Sequence, residues 1–490
     1  MVADKVGTPP WKLALAGVIA MTVATVQQWS PCMSRVAIDQ APSADPYADH
    51  MWPWLRTNPV LPASITSASG PLRYLHVEFA NAVEATRACT ATAFEPMFSR
   101  VGTFAASDPR ARWARVEVAE ADVAAALRLL ANDPRIAQAF VAPDITLPRS
   151  PHSSFRAVED DASCPITTPS FESYQGYLGP APHGIDAPAA WRRGHRGAGV
   201  WFADVEGGWN AAHEDLPGDR ITHVVGEPIP DRTWRAHGTA VLGEVVGRDN
   251  GKGVVGIAPD VERIFTASIG GIAVADAIDV VASRLRPGDV LLIELQGGGP
   301  RGRYIPVEYW DDIYLAIEAA TNRGVVVIEA AGNGDENLDH PGYQRAFDRS
   351  YRDSGAIMVG AGAPPREGFS DRERLDFSNH GTRVDVQGWG RKVATLDYGD
   401  LQACDGSERH YTDRHYTGEF SGTSSASPIV AGAAVLLEGI ARQRGRVLPP
   451  AELRELLRAT GTPQAGDIRE QIGPRPDLER AIAALRSGSR

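Results

Sequence analysis

The stretch that decides the fold is EFSGTSSASPIVAGAAVLLEG, from Glu419 to Gly439. Its run of Ala, Val, Leu and Gly predicts a closely packed, buried helix. Pro428 is expected in the first turn, where N–H groups lack intrahelical partners. Ser424 would then lie at the helix N-terminus, where N–H groups and the helix dipole favour a developing negative charge. Two interpretations stay open at this point: a nucleophilic serine, or a serine that caps a core helix.

Three more polar residues stand at the ends of predicted elements. Asp204 follows the apolar run 200–203, which predicts a buried strand with a site at its carboxyl end. His237 precedes an apolar helical run, and Asn333 lies between two glycines after another buried strand. A serine needs a base and a group that orients the base, and a side-chain amide can donate to an oxyanion. The order Asp, His, Asn, Ser therefore favours the nucleophile.

These motifs resemble those of the subtilisin-like serine proteases, the subtilases. GTSSASPIVAG resembles the serine motif of the family, HGTAVLG the histidine motif, AAGN the oxyanion asparagine and FADVE the aspartate strand. The order Asp, His, Ser is that of subtilisin. The resemblance implies a catalytic triad of Asp204, His237 and Ser424, with Asn333 and the Ser424 N–H holding the oxyanion.

The resemblance also implies a substrate-binding strand. Its position in this sequence falls on Leu295, Gln296, Gly297 and Gly298. Glycines let another backbone approach closely, and a peptide must be extended to present its carbonyl. An ordinary Gly-rich turn is the alternative interpretation of these residues.

The sequence departs from the family pattern after Asp204. The family usually has a small residue and then Gly, but here Val205 and Glu206 come before Gly207 and Gly208. The distance from Asp204 to HEDL also looks stretched by about two residues, which indicates a small insertion. Glu206 would then stand beside the catalytic aspartate, and two neighbouring carboxylates disfavour each other's ionisation.

A second departure is the polar insertion from Asp397 to His415. It contains Cys404, His410, Asp413 and His415, which could bind a metal, although their spacing matches no strong zinc pattern. A solvated loop is the alternative that the composition favours.

Alternating strand and helix patterns predict an α/β fold, namely a three-layer, doubly wound, mainly parallel sheet like that of subtilisin. A small α+β module, similar to the propeptide of the family, precedes it. The expected divisions are a signal peptide over 1–30, a Pro/Ser-rich linker over 31–70, the propeptide-like module over 71–145, a linker with a processing region over 146–173, and the catalytic domain over 174–490.

The N-terminus combines Lys5 and Lys12 with an apolar run from Leu13 to Val26. This run is short for a bilayer span and is typical of a secretory signal. We therefore expect a secreted protein, with an uncleaved membrane anchor or a buried N-terminal helix as the alternatives.

The segment from Leu72 to Asp144 reads as strand, strand, helix and strand. In subtilases such a module is an intramolecular inhibitor whose C-terminal tail lies in the active site until it is cut. The resemblance implies self-cleavage between Val141 and Ser173; an unrelated α+β module is the alternative.

The charge of the chain limits the kinds of partner that it can bind. The formal net charge is −12, without a Lys/Arg block, which argues against nucleic acid. We expect polypeptide substrates and a monomer.

Cys164 and Cys404 would be the pair left in a mature exported enzyme and could form a disulfide. The chemistry needs no cofactor or metal; structural calcium is a family expectation, and the acidic patch at Asp335, Glu336, Asn337 and Asp339 fits no defined calcium motif.

Two functions follow from these observations. The first is a secreted serine endopeptidase made as a self-inhibited precursor. The second is a catalytically impaired relative that binds peptides or partners through its cleft. A dinucleotide-binding interpretation of the glycines near Gly199 fails, because they precede the strand and do not open a helix after it.

Overall fold

The computed structural model describes residues 36–37, 59–66, 71–101, 104–148, 165–366, 368, 370–404 and 413–487. The predicted signal peptide over 1–30 and most of the predicted linker over 31–70 lie outside these residues. The chain divides into two compact units, Met1–Ala142 and Pro143–Arg490. We call them the N-terminal unit and the C-terminal unit.

The N-terminal unit is built on a four-stranded antiparallel sheet in the order β3-β5-β2-β6. The strands of this unit are β1 Val36–Ala37, β2 Leu72–Phe79, β3 Glu95–Pro96, β4 Phe104–Ala105, β5 Trp113–Ala119 and β6 Ile136–Val141. The helices are α1 Ala63–Thr66, α2 Ala82–Ala91 and α3 Val123–Ala131. The strand, strand, helix, strand pattern expected for this segment thus corresponds to β2, β5, α3 and β6, whereas α2 was not predicted.

The C-terminal unit contains the remaining elements. Its strands are β7 Ile145–Thr146, β8 Trp201–Glu206, β9 Ile221–Val225, β10 Arg263–Ser268, β11 Val290–Ile293, β12 Gln296–Gly298, β13 Tyr304–Pro306, β14 Val326–Ala330, β15 Ile357–Gly362, β16 Val386–Trp389, β17 Val393–Leu396 and β18 Tyr416–Phe420. Its helices are α4 Ala187–Trp191, α5 Arg232–Val246, α6 Val274–Ala282, α7 Asp311–Asn322, α8 Thr423–Arg442, α9 Pro450–Thr460 and α10 Leu478–Ser487.

A seven-stranded parallel sheet in the order β16-β15-β14-β11-β8-β10-β9 forms the centre of this unit. From β8 the chain adds β9 and β10 on one side and β11 and later strands on the other. The order therefore reverses between β8 and β11. In open α/β sheets, the crevice at the carboxyl ends of such neighbouring strands is where ligands bind.

Helices cover both faces of the sheet, which confirms the predicted three-layer, doubly wound α/β fold. Helices α5 and α8 pack together, and α8 lies on β11, β14, β15 and β16; α6 and α7 pack together and contact β8 and β14 respectively. Most strand residues are apolar and buried, whereas the edge strand β9 has exposed residues at Thr222 and His223.

Helix α8 is the central helix of the unit, and it comes from the stretch quoted first. It is long enough to cross a membrane and has a mean hydropathy of 1.4, but its apolar window is fully buried inside the unit. Its small residues let neighbouring segments approach closely: a Cβ at Gly432, for example, would lie 2.6 Å from Cβ of Ile257, in the segment that follows α5. It is a core helix.

Candidate active site

Ser424 lies in the first turn of α8. The residue at the N-cap is Gly422, at φ 124°, so the interpretation of Ser424 as a capping serine is wrong. Pro428 falls beyond the first turn, contrary to the prediction, and its missing N–H leaves the Ser424 carbonyl without its usual intrahelical donor. Oγ of Ser424 donates a hydrogen bond to the carbonyl oxygen of Pro148 (2.8 Å), and the backbone N–H of Ser424 faces the same oxygen at 3.5 Å.

His237 is fully buried on α5. This helix begins after Asp231, whose side chain accepts hydrogen bonds from the N–H groups of Thr233 and Trp234. Phe420, on the strand that leads into α8, lies edge-on to the His237 ring with 5.3 Å between ring centroids. The His237 ring therefore contacts the last residue of β18, and the turn that carries Ser424 follows shortly after that residue.

The carboxyl group that bonds His237 belongs to Glu206, not to Asp204. Nδ1 of His237 lies 2.8 Å from Oε2 of Glu206, and both side chains are fully buried. Oδ2 of Asp204 instead accepts a hydrogen bond from Nε1 of Trp209 (2.7 Å). The assignment of Asp204 as the residue that orients His237 is therefore corrected. The physical reason is that β8 runs to Glu206, two residues beyond the predicted end, so Asp204 lies within the strand.

The sequence held a signal for Glu206. If Glu206 occupies the position of the family's aspartate, then Gly207 and Gly208 are the small residue and glycine that normally follow it. The two-residue insertion is then unnecessary at this point. The residue type favours Asp204, whereas the spacing of the two glycines favours Glu206; the hydrogen bond to His237 agrees with the spacing.

Three carboxyl groups share the buried region behind His237. Burial raises the pKa of Asp204, Glu206 and Glu294 well above their usual ranges, and the charge of Glu206 raises the pKa of the other two further. Trp209 donates to Asp204 and Ser427 donates to Glu294 (2.6 Å). Glu206 has the imidazole as partner, so ionisation is best compensated there.

The carbonyl of Pro148, Oγ of Ser424 and Nδ2 of Asn333 surround Gly422; Ser424 bonds the carbonyl, whereas Nδ2 of Asn333 makes no hydrogen bond to a residue that the structure describes. Oδ1 of Asn333 accepts hydrogen bonds from the N–H and hydroxyl of Thr423 (2.9 Å each). A Cβ at Gly422 would overlap the Pro148 carbonyl oxygen and would lie 3.0 Å from Oγ of Ser424 and 3.1 Å from Nδ2 of Asn333. Glycine at 422 therefore keeps open the space between these three groups.

The segment before Pro148 lies in the unit as an extended peptide. Strand β7 pairs antiparallel with β12, with Thr146 opposite Gln296 and Ile145 opposite Gly297. Gly298 N–H faces the Asp144 carbonyl at 3.4 Å. The strand expected from resemblance at 295–298 is thus the one that holds this peptide, apart from Leu295, which is buried outside β12.

The remaining predicted residues lie away from these groups. Asp335, Glu336 and Asp339 bond Arg374, Arg301 and Thr382 respectively. Among the residues that the structure describes, no group of three or more His, Cys, Asp and Glu side chains is placed to hold a metal ion. Calcium stays a prediction.

The insertion from Asp397 to His415 is only partly described, because 405–412, including His410, lie outside the described residues. Asp397, Cys404 and His415 are buried, so the expectation of a solvated loop is wrong for the ends of the insertion. The carbonyl of His415 accepts from Asp397 N–H (2.7 Å), and Oδ1 of Asp413 accepts from Asn210 (2.8 Å). Cys164 lies outside the described residues, so its disulfide with Cys404 stays a prediction.

An alcohol, an amide and an imidazole paired with a carboxyl group are the groups that serine hydrolases of the subtilisin type use, and here they are carried by elements of a doubly wound sheet and its helices. Comparison with known proteins agrees with this class. The model of the subtilase family matches residues 213–473, which is more than half of the chain. The chain belongs to the subtilase family.

The chain is similar to several proteins that are named as proteases or subtilisins. An intracellular serine protease of Paenibacillus polymyxa is 30% identical over 52% of this chain and 72% of the relative. Subtilisin BL of Lederbergia lenta is 28% identical over 57% of this chain and 89% of the relative. Among solved structures, the epidermin leader peptide processing serine protease of Staphylococcus aureus matches with a TM-score of 0.57 and 17% identity, over 85% of this chain and 99% of that one. This last likeness concerns the fold.

Proposed function

We propose that the protein is a serine endopeptidase made as a precursor, and that its first substrate is its own chain at the bond between Pro148 and Arg149. The observation that carries the proposal is the hydrogen bond from Ser424 to the Pro148 carbonyl oxygen at 2.8 Å, at the end of a peptide paired with β12. The bond lies within the processing region expected between Val141 and Ser173.

The proposed chemistry uses the groups around this carbonyl. Ser424 attacks the carbonyl carbon of Pro148 while His237 takes the hydroxyl proton. The C–N bond to Arg149 breaks, and His237 returns the proton to the leaving amine; water then releases the acyl group by the same route. Glu206 fixes the tautomer of His237 and stabilises the imidazolium. The Ser424 N–H and Nδ2 of Asn333 stabilise the oxyanion.

Until it is cut, the segment 144–148 blocks access of other peptides to Ser424. This supports the proposal of a self-inhibited precursor. We further propose that the processed enzyme is an exported monomer acting on polypeptides, on the basis of the apolar N-terminal run; an uncleaved anchor is the alternative. Named relatives include an intracellular and an extracellular protease.

The test compares the purified parent chain with Ser424→Ala. The parent should yield a product whose N-terminus is Arg149, identified by mass spectrometry, while Ser424→Ala stays full length. Ser425→Ala is the matched control, because this neighbouring buried hydroxyl bonds the carbonyl of Trp389 instead (3.0 Å). Identical processing of the parent and Ser424→Ala would exclude self-cleavage. An intact parent that hydrolyses no peptide would favour the alternative, a peptide-binding relative.

A further inference from the structure

We propose that Gln296 is a positioning residue that binds the backbone of the substrate and links it to Asn333, the proposed oxyanion donor. Its side-chain amide holds the carbonyl of the residue before the one that is attacked, and at the same time holds the backbone of Asn333. This inference rests on the proposed function and names a contact within the same site.

Both ends of the Gln296 amide are used. Nε2 donates to the carbonyl oxygen of Leu147 (2.8 Å), and Oε1 accepts from the backbone N–H of Asn333 (2.8 Å). The side chain is 2% exposed, so water does not replace either partner. One partner is a pure acceptor and the other a pure donor, which fixes the orientation of the amide.

The Leu147 carbonyl needs such a partner. In an antiparallel pair, the N–H and C=O groups of alternate residues face the partner strand. Thr146 stands opposite Gln296 in β12, so the backbone groups of Leu147 point away from the ladder. A buried carbonyl without a donor is costly. The side chain of Gln296 supplies the donor that the strand backbone cannot.

The contact links the substrate to the chemistry. Asn333 is held at its N–H by Gln296 and at Oδ1 by Thr423, which begins α8. Its remaining donor, Nδ2, is the one beside the Pro148 carbonyl and Oγ of Ser424. A peptide that engages Gln296 therefore helps to keep the oxyanion donor in place. Because a carbonyl is common to all residues, the contact selects an extended backbone and not a particular side chain.

Two substitutions separate the functions of the amide. Gln296→Glu keeps an acceptor for Asn333 N–H but replaces the donor to Leu147 with a second acceptor. Gln296→Met is neutral and of similar length but removes both bonds. Each should lower kcat/KM for extended peptides on the order of 10- to 100-fold, the loss expected for a buried hydrogen bond.

A modified substrate distinguishes positioning from a structural effect. A peptide ending in Leu-Pro before the cleaved bond is compared with the same peptide carrying a thioamide at the Leu carbonyl, since sulfur is a weak acceptor. The parent enzyme should cleave the thioamide about tenfold more slowly, whereas Gln296→Met should cleave both peptides equally. An equal loss in both enzymes would overturn the proposal.

A second measurement does not need catalysis. In the full chain carrying Ser424→Ala, hydrogen exchange of the backbone amides of residues 144–147 should become at least severalfold faster when Gln296→Glu or Gln296→Met is added, with helix α8 as the internal control. Unchanged exchange in this segment would overturn the inference. Faster exchange in the variants, together with a parent chain that cleaves nothing, would support the role of Gln296 and reject the proposed protease.

Discussion

Glu206 and Asp204 lie two residues apart on β8 and therefore on the same face of the strand. The longer side chain, at the end of the strand, bonds Nδ1 of His237, and the shorter one, inside the strand, bonds Trp209. In the proposed mechanism the imidazole accepts a proton from Ser424 at Nε2, so it has to carry its own proton on Nδ1. The group that accepts from Nδ1 decides this tautomer.

Glu206→Gln should lower kcat for peptide hydrolysis by about 10⁴-fold, the size of the loss measured in subtilisin when its triad aspartate is removed. Glutamine keeps the shape but cannot stabilise the imidazolium. Asp204→Asn is the matched control, and kcat should stay within about threefold of the parent, a change smaller than 1 kcal/mol in the barrier. A large loss in Asp204→Asn with a small one in Glu206→Gln would return the orienting role to Asp204.

The residues of the site were predictable where a motif fixes both type and neighbours. Ser424, His237 and Asn333 stand within such motifs, and the structure places Ser424 and Asn333 beside one carbonyl and His237 on a buried carboxyl group. The acid was assigned to the wrong residue because an apolar run does not reveal at which residue a strand ends. The role of the Gln296 side chain was also hidden, since its two partners are distant in sequence.

At the scale of elements, most of the seven parallel strands give a strong local signal in the sequence, because most of their residues are buried and apolar. Helix α2 gives a weak signal in the sequence, because Thr, Arg and Glu stand among small residues there. Strand β7 gives none. Two residues form it, and they pair with a strand about 150 positions later in the chain, so only the folded structure reveals the contact.

Thr146→Pro should slow processing at Pro148–Arg149, because proline removes an N–H that faces Gln296 in the ladder between β7 and β12. Ile145→Pro is the control in the same strand, since its N–H points away from β12. The half-time for the appearance of the Arg149 N-terminus should lengthen roughly tenfold for Thr146→Pro, the equivalent of one net hydrogen bond. Equal delays in both variants would mean that the ladder does not hold the tail.

At the scale of the whole molecule, several ionisable groups that the proposed chemistry does not use are buried, and they make the stability of the C-terminal unit depend on pH. His213 is one of them. Nδ1 accepts from Asp215 N–H (3.2 Å), and the other ring nitrogen, Nε2, is 2.9 Å from the carbonyl of His415. This pattern is satisfied by the neutral ring with its proton on Nε2. Burial accordingly lowers the pKa of His213 to about 4.

The pKa of His213 is lower in the folded chain than in the unfolded chain, where it is near 6.5. The unfolded chain therefore binds the proton first as pH falls, and the stabilisation present above pH 6.5 is lost between pH 6.5 and about 4. The full loss is about 3 kcal/mol. The pH dependence from Asp215 has the opposite sign, because burial raises the pKa of this carboxyl group to about 7. The stabilisation that Asp215 contributes is therefore lost as pH rises toward that value.

His213→Gln separates the pH dependence caused by His213 from that caused by Asp215, because glutamine supplies a donor and an acceptor at every pH. With Ser424→Ala present to keep the chain whole, urea denaturation should show that the stability difference between His and Gln at 213 shrinks by about 3 kcal/mol from pH 7 to pH 4. His183→Gln, at an exposed histidine, controls for the loss of an imidazole. A difference that stays constant over this range would mean that the folded chain accommodates a charged His213, and that the bond from Asp215 does not hold the ring neutral.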